Sequence, residues 1–381
     1  MSVEESKIPI ASQSLNAETR KSGDDEGDIN QKMQELTIGK EAPKNEPEDY
    51  HTFDDAVKLL REKRKIVVVT GAGISVSCGI PDFRSKDGLY ERLRQQGQES
   101  PESLFHISNF LKDPSIFYKY REVICPTRYV PSPVHFFLSK LEAEGKILRV
   151  YTQNIDGLDP RAGISRLIQC HGTFATASCM QCHHQVKIEE IEPKFIAKEV
   201  AYCEVCEQTQ TEKKGVYKPD FVFFGENLPK VFNVSLEEEL PKADCVLVIG
   251  SALAVYPVAS IPQIVKYGVP QILINRDIVG RPGQFNIQLL GDCDDVVIEL
   301  INALGWQKEI PLTLEQRRRA SEEIDKLMKE ENGKRDRDVE GQKKMRDFLI
   351  AMSQEQEEEN KINIIQTFAE PNITRFKKET K

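Results

Sequence analysis

Ile66-Val-Val-Val69 is apolar at every position and runs straight into Thr70-Gly71-Ala72-Gly73. A half-exposed strand alternates apolar with polar residues, whereas an unbroken apolar run fits a parallel strand covered on both faces. Parallel strands need helical crossovers, so this one stretch commits the chain to an α/β architecture. Gly71 and Gly73 carry no Cβ, which permits a sharp turn and the close backbone approach by which strand–turn–helix units offer N–H groups to a phosphate. The same two glycines are compatible with a plain tight turn. A third glycine of the G-x-G-x-x-G fingerprint would fall at Val76, and no acidic residue closes a strand about 20 residues on. Pro81-Asp82-Phe83-Arg84 then supplies a carboxylate, a ring and a guanidinium, which suit a nucleotide sugar and its leaving group better than a hydride-transfer floor.

Further apolar runs repeat the pattern. Ile147–Tyr151 delivers Thr152-Gln153-Asn154-Ile155-Asp156, Cys245–Ile249 ends in Gly250-Ser251-Ala252, and Val269–Ile274 ends in Asn275-Arg276-Asp277. Strand–helix alternation with these endings predicts a doubly wound, Rossmann-like parallel sheet whose polar groups gather beyond the carboxyl ends of the strands, where open α/β sheets bind ligands. The amides of Gln153 and Asn154 both donate and accept; Asp156 either accepts from a carboxamide or sugar hydroxyl or closes a strand-end Asx turn. His171, before Gly172, reaches the same rim as a structural imidazole or as a proton acceptor. Alternation turns its neighbour Cys170 the other way, into packing.

The chain has nine cysteines, an odd count without a basic-then-apolar leader, which reads as reduced thiols or metal ligands. Cys179-x₂-Cys182 and Cys203-x₂-Cys206 are two knuckles of one tetrahedral zinc site. Four thiolates close the metal to substrate, so the zinc should be structural, stapling a small module of about residues 173–218.

Residues 1–50 hold twelve acids against six bases and read as a disordered acidic tail. Order should begin at Thr52, with Asp55 at the capping-box position. Arg61-Glu-Lys-Arg-Lys65 either faces a helix C-terminal dipole or serves as a localisation signal. Residues 91–134 read as a helical cap with pieces at Leu104–Leu111 and Ile116–Val123, and Gly291–Asp295 as the cap of a helix running to Leu304. Residues 307–381 form a charged extension, helical over Leu314–Lys329; Ile362–Phe368 either docks as an edge strand or is a partner motif. A formal charge of −9 argues against direct, phosphate-driven nucleic-acid binding. No apolar run approaches the ~20 residues of a membrane span, so a soluble intracellular protein is expected.

Gly71-Ala-Gly-Ile-Ser75, Pro81-Asp-Phe-Arg84, Thr152-Gln-Asn-Ile-Asp156, Cys170-His-Gly172, the cysteine knuckles and Phe224-Gly-Glu226 together resemble the sirtuins, the NAD-dependent protein-lysine deacylases, over about Phe53–Trp306. Val76–Ile80, Gln169–Gly172 and Leu290–Asp294 look most like the nuclear silent-information-regulator branch. The resemblance implies one catalytic domain over residues 51–306 and an NAD site. In it, Gly71, Ala72, Gly73, Ile74, Ser75, Asp82, Phe83, Arg84 and Tyr90 hold the diphosphate and roof the nicotinamide. Gln153, Asn154, Ile155 and Asp156 position the ribose; Gly250, Ser251 and Ala252 contact the cofactor; Asn275, Arg276, Asp277 and Cys293 hold the adenosine end. His171 would be the general base, with Asn154 beside it in the catalytic set, and Val222 and Phe223 would pair the substrate peptide as an added strand. The implied reaction moves an acetyl group from lysine to ADP-ribose with release of nicotinamide. Expected partners are acetylated histones or transcription factors in the nucleus, with the cytoplasm as a second compartment; mono-ADP-ribosyl transfer and a catalytically silent acetyl-lysine reader are the alternatives. Ala252, where the family usually keeps a hydroxyl, Tyr256, where this branch often has a basic residue, and Pro160-Arg161 depart from the family pattern.

Overall fold

The computed structural model describes residues 49–83, 86, 88–120, 129–208 and 214–330. The acidic tail up to residue 48, Arg84 and Ile362–Phe368 lie outside the described residues. The strands are β1 Ile66–Thr70, β2 Ile147–Thr152, β3 Leu167–Gln169, β4 Gly172–Cys179, β5 Gln185–Lys187, β6 Tyr217–Phe221, β7 Cys245–Ile249, β8 Gln271–Asn275 and β9 Ile287–Leu290. Six of them form one sheet in the order β3-β2-β1-β7-β8-β9, every pairing parallel. The chain winds outward from β1 in one direction and from β7 in the other, which leaves a crevice at the β1/β7 junction.

The apolar runs are buried on both faces, as their lack of alternation requires. Ile66 and Val68 of β1, with Leu247 and Ile249 of β7, enter one core; Val67, Val69, Val246 and Val248 enter the other. The first core is closed by helices Phe53–Glu62, Pro133–Ala143 and Cys293–Leu304. Phe232 and Leu236 of helix Lys230–Glu238 cover the second. Thr52 and Asp55 make the expected capping box: the Thr52 hydroxyl accepts from the Asp55 N–H (3.1 Å), and the Asp55 carboxylate accepts from the Thr52 N–H (2.9 Å).

Three expectations need correcting. The piece expected at Leu104–Leu111 breaks at His106 into a 3₁₀ turn, Pro101–Phe105, and a helix, Ile107–Lys112. The piece expected at Ile116–Val123 starts earlier, as helix Pro114–Lys119, opened by Pro114 after Asp113, whose carboxylate accepts from the Ser115 N–H, and its residues 121–123 lie outside the described ones. Asp292 stands at the N-cap of helix Cys293–Leu304 but makes no side-chain cap; its carboxylate is taken by Arg276 instead, at 2.6 Å. Helix Leu314–Glu330 forms as read, and Ala320 and Ile324 bury themselves in the first core. Among the described residues no helix is long and apolar enough to cross a membrane.

The helical pieces and the antiparallel sheet β5-β4-β6 share one aromatic core of Phe105, Phe110, Phe117, Tyr118, Phe195, Phe221 and Phe223. Tyr118 stacks on Phe195 at 4.5 Å, and its hydroxyl donates to the Tyr217 carbonyl, so cap and cysteine module form one packed unit. Phe117 touches five other phenylalanines and Tyr118 through ring contacts. Phe117→Ala should therefore destabilise the protein by about 3–5 kcal/mol, measured by denaturant unfolding.

Candidate active site

At the β1/β7 junction the two strand-end turns meet backbone to backbone. The Gly73 N–H donates to the Gly250 carbonyl at 2.8 Å, and a Cβ on Gly73 would sit 2.6 Å from the Gly250 Cα. Gly250 adopts φ +61°, which favours glycine. The glycines of the first turn are thus required by the opposing turn. The segment that follows, Ala72–Cys78, is a 3₁₀ helix.

Beside this floor, β2 ends in a polar wall. The Asn154 amide donates to the Gly71 carbonyl and to the Ser75 hydroxyl, both at 3.2 Å, and Ser75 donates to Asp156 at 2.7 Å. Asp156 also accepts from the Leu158 N–H at 2.9 Å, so it closes an Asx turn and anchors Ser75 at once. Burial, opposed by these two bonds, raises its carboxyl pKa. Gln153 accepts from the Ser251 hydroxyl at 2.7 Å, which joins the ends of β2 and β7.

His171 lies between β3 and β4. Its Nδ1 is 3.0 Å from the Gln153 carbonyl oxygen, which can only accept, so Nδ1 carries the proton and Nε2 keeps a lone pair. Burial holds the imidazole below the ordinary histidine pKa, with the Gln153 bond acting the other way. A neutral ring with its basic nitrogen away from its anchor is suited to accept a proton. Gly172 is forced by the next strand: its φ is +72°, and a Cβ there would lie 2.1 Å from the Asp220 carbonyl oxygen. Cys170 is fully buried in the second core, as alternation requires.

These elements surround a cavity of about 870 Å³. Its lining contains Gly71, Ala72, Gly73, Asp82, Phe83, Tyr90, Gln153, Asn154, Ile155, His171, Val222, Phe223, Gly250, Ser251, Ala252, Asn275, Arg276, Asp277 and Cys293. Ile74, Ser75 and Asp156 stand behind the lining: Ile74 is in the core, and the other two brace the wall. Phe223 is both wall and core, 1% exposed. The Val222 N–H donates to the His171 carbonyl and the Phe223 N–H to Glu226, so both amides are already satisfied within the protein. Burial pushes the Cys293 thiol up to about 12, which keeps it neutral. Sequence reasoning missed Phe105 and Leu253 in the lining, which come from the cap and a loop, and it gave no site role of their own to Ser77 and Asp294, although both lie in segments it singled out, Val76–Ile80 and Leu290–Asp294.

In the small unit the four cysteine sulfurs lie within 4.8 Å of one another, with Cys179–Cys206 and Cys182–Cys203 both at 3.6 Å. Tetrahedral zinc with Zn–S bonds of about 2.3 Å would place sulfurs about 3.8 Å apart, so the donor set fits one structural zinc. Gly215 makes room for it, since a Cβ there would lie 2.5 Å from the Cys179 sulfur.

A family model described as the Sir2 family matches residues 71–257. The NAD-dependent protein deacetylase sirtuin-1 of Rattus norvegicus is 46% identical over 275 residues, 71% of this chain and 49% of that protein. The human protein of the same name is also 46% identical, over 71% of this chain and 36% of its own length. The NAD-dependent protein deacetylase HST1 of Saccharomyces cerevisiae is 40% identical, over 68% and 56% respectively. The chain thus spans about half the length of the rat relative and less of the human one. A solved structure described as "Structural Basis for the Mechanism and Regulation of Sir2 Enzymes" superposes with a TM-score of 0.57 at 32% identity, over 66% of this chain and 96% of that one.

Two outcomes are expected from this geometry. Metal analysis of chelator-free protein should find one zinc per chain, and Cys203→Ser should lose the metal and lower the melting temperature. Asp159, fully buried behind Asp156, is pushed up to about 7 by burial and then by the Asp156 charge. A raised acid stabilises the fold fully below its unfolded pKa, and that stability is lost as pH rises through about 7. Asp159→Asn should therefore raise stability by about 2–4 kcal/mol at pH 8 and leave it unchanged at pH 4, read from melting curves at both pH values.

Proposed function

The chain belongs to the Sir2 family, and on that footing we propose that it is an NAD-dependent protein-lysine deacetylase of the silent-information-regulator branch. Its substrates in this reading are acetylated proteins, histones or transcription factors, and it acts in the nucleus. The names of its relatives support the reading, as they are NAD-dependent protein deacetylases, one of them a histone deacetylase from Drosophila melanogaster. The observation that carries it is the anchored, neutral His171 on a cavity that also holds the β1/β7 crevice.

Bound NAD supplies a ribose carbon made electrophilic by its departing nicotinamide and a ribose that receives the acetyl group. In this proposal the turn Gly71–Gly73 and the 3₁₀ start take the diphosphate, while Asn275, Arg276 and Cys293 take the adenosine end. Arg84 belongs to the same proposal but lies outside the described residues. Gln153 and Asn154 orient the ribose and carboxamide; Asp156 acts on them through Ser75. Phe83, edge-on to Tyr90 at 5.7 Å and to Phe105 at 6.1 Å, shields the reacting sugar from water. Val222 and Phe223 hold the acetylated peptide at the cavity wall, where an added strand would have to pair without their N–H groups, and His171 Nε2 accepts the ribose hydroxyl proton.

Purified protein given acetylated peptide with NAD should form acetyl-ADP-ribose by mass detection, one for each nicotinamide released, and none without NAD. Nicotinamide release without deacetylation would instead make the chain an ADP-ribosyl transferase or a hydrolase. His171→Ala should cut turnover by about 10²–10⁴-fold at an unchanged melting temperature. Because the base must be unprotonated, activity should fall as pH drops through the His171 pKa, with the acid limb of kcat/KM centred below the ordinary value of about 6.5.

A further inference from the structure

A lysine is almost never buried unless its charge is paired, yet Lys218 of β6 is only 6% exposed. Its ammonium has three N–H groups, and three acceptors meet them. They are the Pro219 carbonyl at 3.0 Å, the Phe221 carbonyl at 2.8 Å and the Glu226 carboxylate at 2.9 Å. The same ammonium stands over the Phe223 ring, 4.4 Å from its centroid, where the face of the ring attracts a cation. Each of these partners lies between residues 219 and 226, so one buried charge gathers a single short stretch of chain around itself.

That stretch is a wall of the cavity, which residues 221–226 all line. Its path is set from three sides. The Val222 N–H donates to the His171 carbonyl at 2.8 Å, and the Phe224 N–H to the Phe105 carbonyl of the cap at 2.7 Å. The third tie is different, because it depends on side chains. Glu226 Oε2 accepts from the Phe223 N–H at 2.7 Å, and the same oxygen is the one that Lys218 holds. Without the ammonium this carboxylate, which is 26% exposed beside the cavity, would turn toward water there and release the Phe223 N–H. The Pro219 and Phe221 carbonyls would each lose a donor at the same time. The turn that carries Val222 and Phe223 would then be held at its two ends and loose between them.

We propose that Lys218 is a positioning residue for the acetylated peptide: its ammonium ties Phe221, Phe223 and Glu226 into one fixed turn and so presents Val222 and Phe223 to the substrate. The inference rests on the preceding reading that these two residues hold the peptide. It predicts weaker peptide binding with NAD binding kept, since Lys218 stands behind the wall and the turns of the β1/β7 crevice are built from other elements.

The test pairs deacetylation kinetics with amide hydrogen exchange on the full chain. Lys218→Met, close in length and uncharged, should raise KM for an acetylated peptide about tenfold, with NAD affinity within about twofold and kcat within about threefold. Exchange at the Val222 and Phe223 amides should quicken in the same variant, while Ile66–Thr70 keeps its protection. Lys218→Arg keeps the charge, but a planar fork cannot aim three donors at these three acceptors, so its peptide KM should fall between. Should Lys218→Met not fold, Lys218→Arg carries the same two measurements. Wild-type peptide KM and wild-type protection in the folded variants overturn the proposal. An equal rise in KM for peptide and for NAD also overturns it, since that would make Lys218 a residue of the core alone. A wild-type protein that deacetylates no peptide overturns the deacetylase reading, and the exchange comparison then decides the fate of the fixed turn by itself.

Discussion

The site depends on a contact that excludes side chains altogether. Gly73 and Gly250 lie so close that one methyl group on either would collide with backbone, and the Gly73 N–H spends itself on the Gly250 carbonyl. Parallel pairing of β1 with β7 delivers both turns at the same height, because their registers run level from Ile66 and Cys245 to Thr70 and Ile249. Only then is the floor of the crevice continuous. Any widening here would part Gly71 from Ser251 and would break the path by which Asn154 reaches the Gly71 carbonyl.

A second layer of polar groups stands behind that floor. Asn154, Ser75 and Asp156 are joined by short hydrogen bonds, and Asp159 and His135 lie close to Asp156 in a buried cluster. Burial raises both carboxyls and lowers His135 to about 3, so each group is pushed toward its neutral form. Of this layer only Asn154 reaches the cavity; the others stand behind it and fix the groups that line it. The fully buried atoms His135 Nε2 and Asp159 Oδ1 lack protein partners, which marks the layer as a place where polar satisfaction is incomplete.

The fold was legible wherever one local pattern had one physical solution. Unbroken apolar strands could only be covered on both faces, and two C-x₂-C knuckles could only converge if they shared a site. Asp292 shows the limit of such reasoning. Its position before a helix predicts a cap, but a guanidinium sixteen residues earlier in the chain competes for the same carboxylate and takes it. Phe223 shows the same limit, since a residue that closes a core and lines a cavity has one sequence signature for two jobs. Phe105 was invisible because tertiary packing alone brings it to the cavity.

The small unit explains why a structural metal bears on a distant imidazole. Cys179 ends β4, and the same strand begins at Gly172, directly after His171. β6 pairs along β4 from Cys179–Tyr217 at one end to Gly172–Phe221 at the other, and Val222 then donates to the His171 carbonyl. The sulfur cluster therefore fixes one end of a two-strand ladder whose other end carries the base. Tyr217, Phe221 and Phe223 hang from that ladder into the aromatic core, where they pack against Tyr118 and Phe105 of the cap. Losing the metal would free the ladder at the cysteine end first. The displacement would travel along paired backbone to His171 before it reached the parallel sheet, whose own cores contain none of these rings.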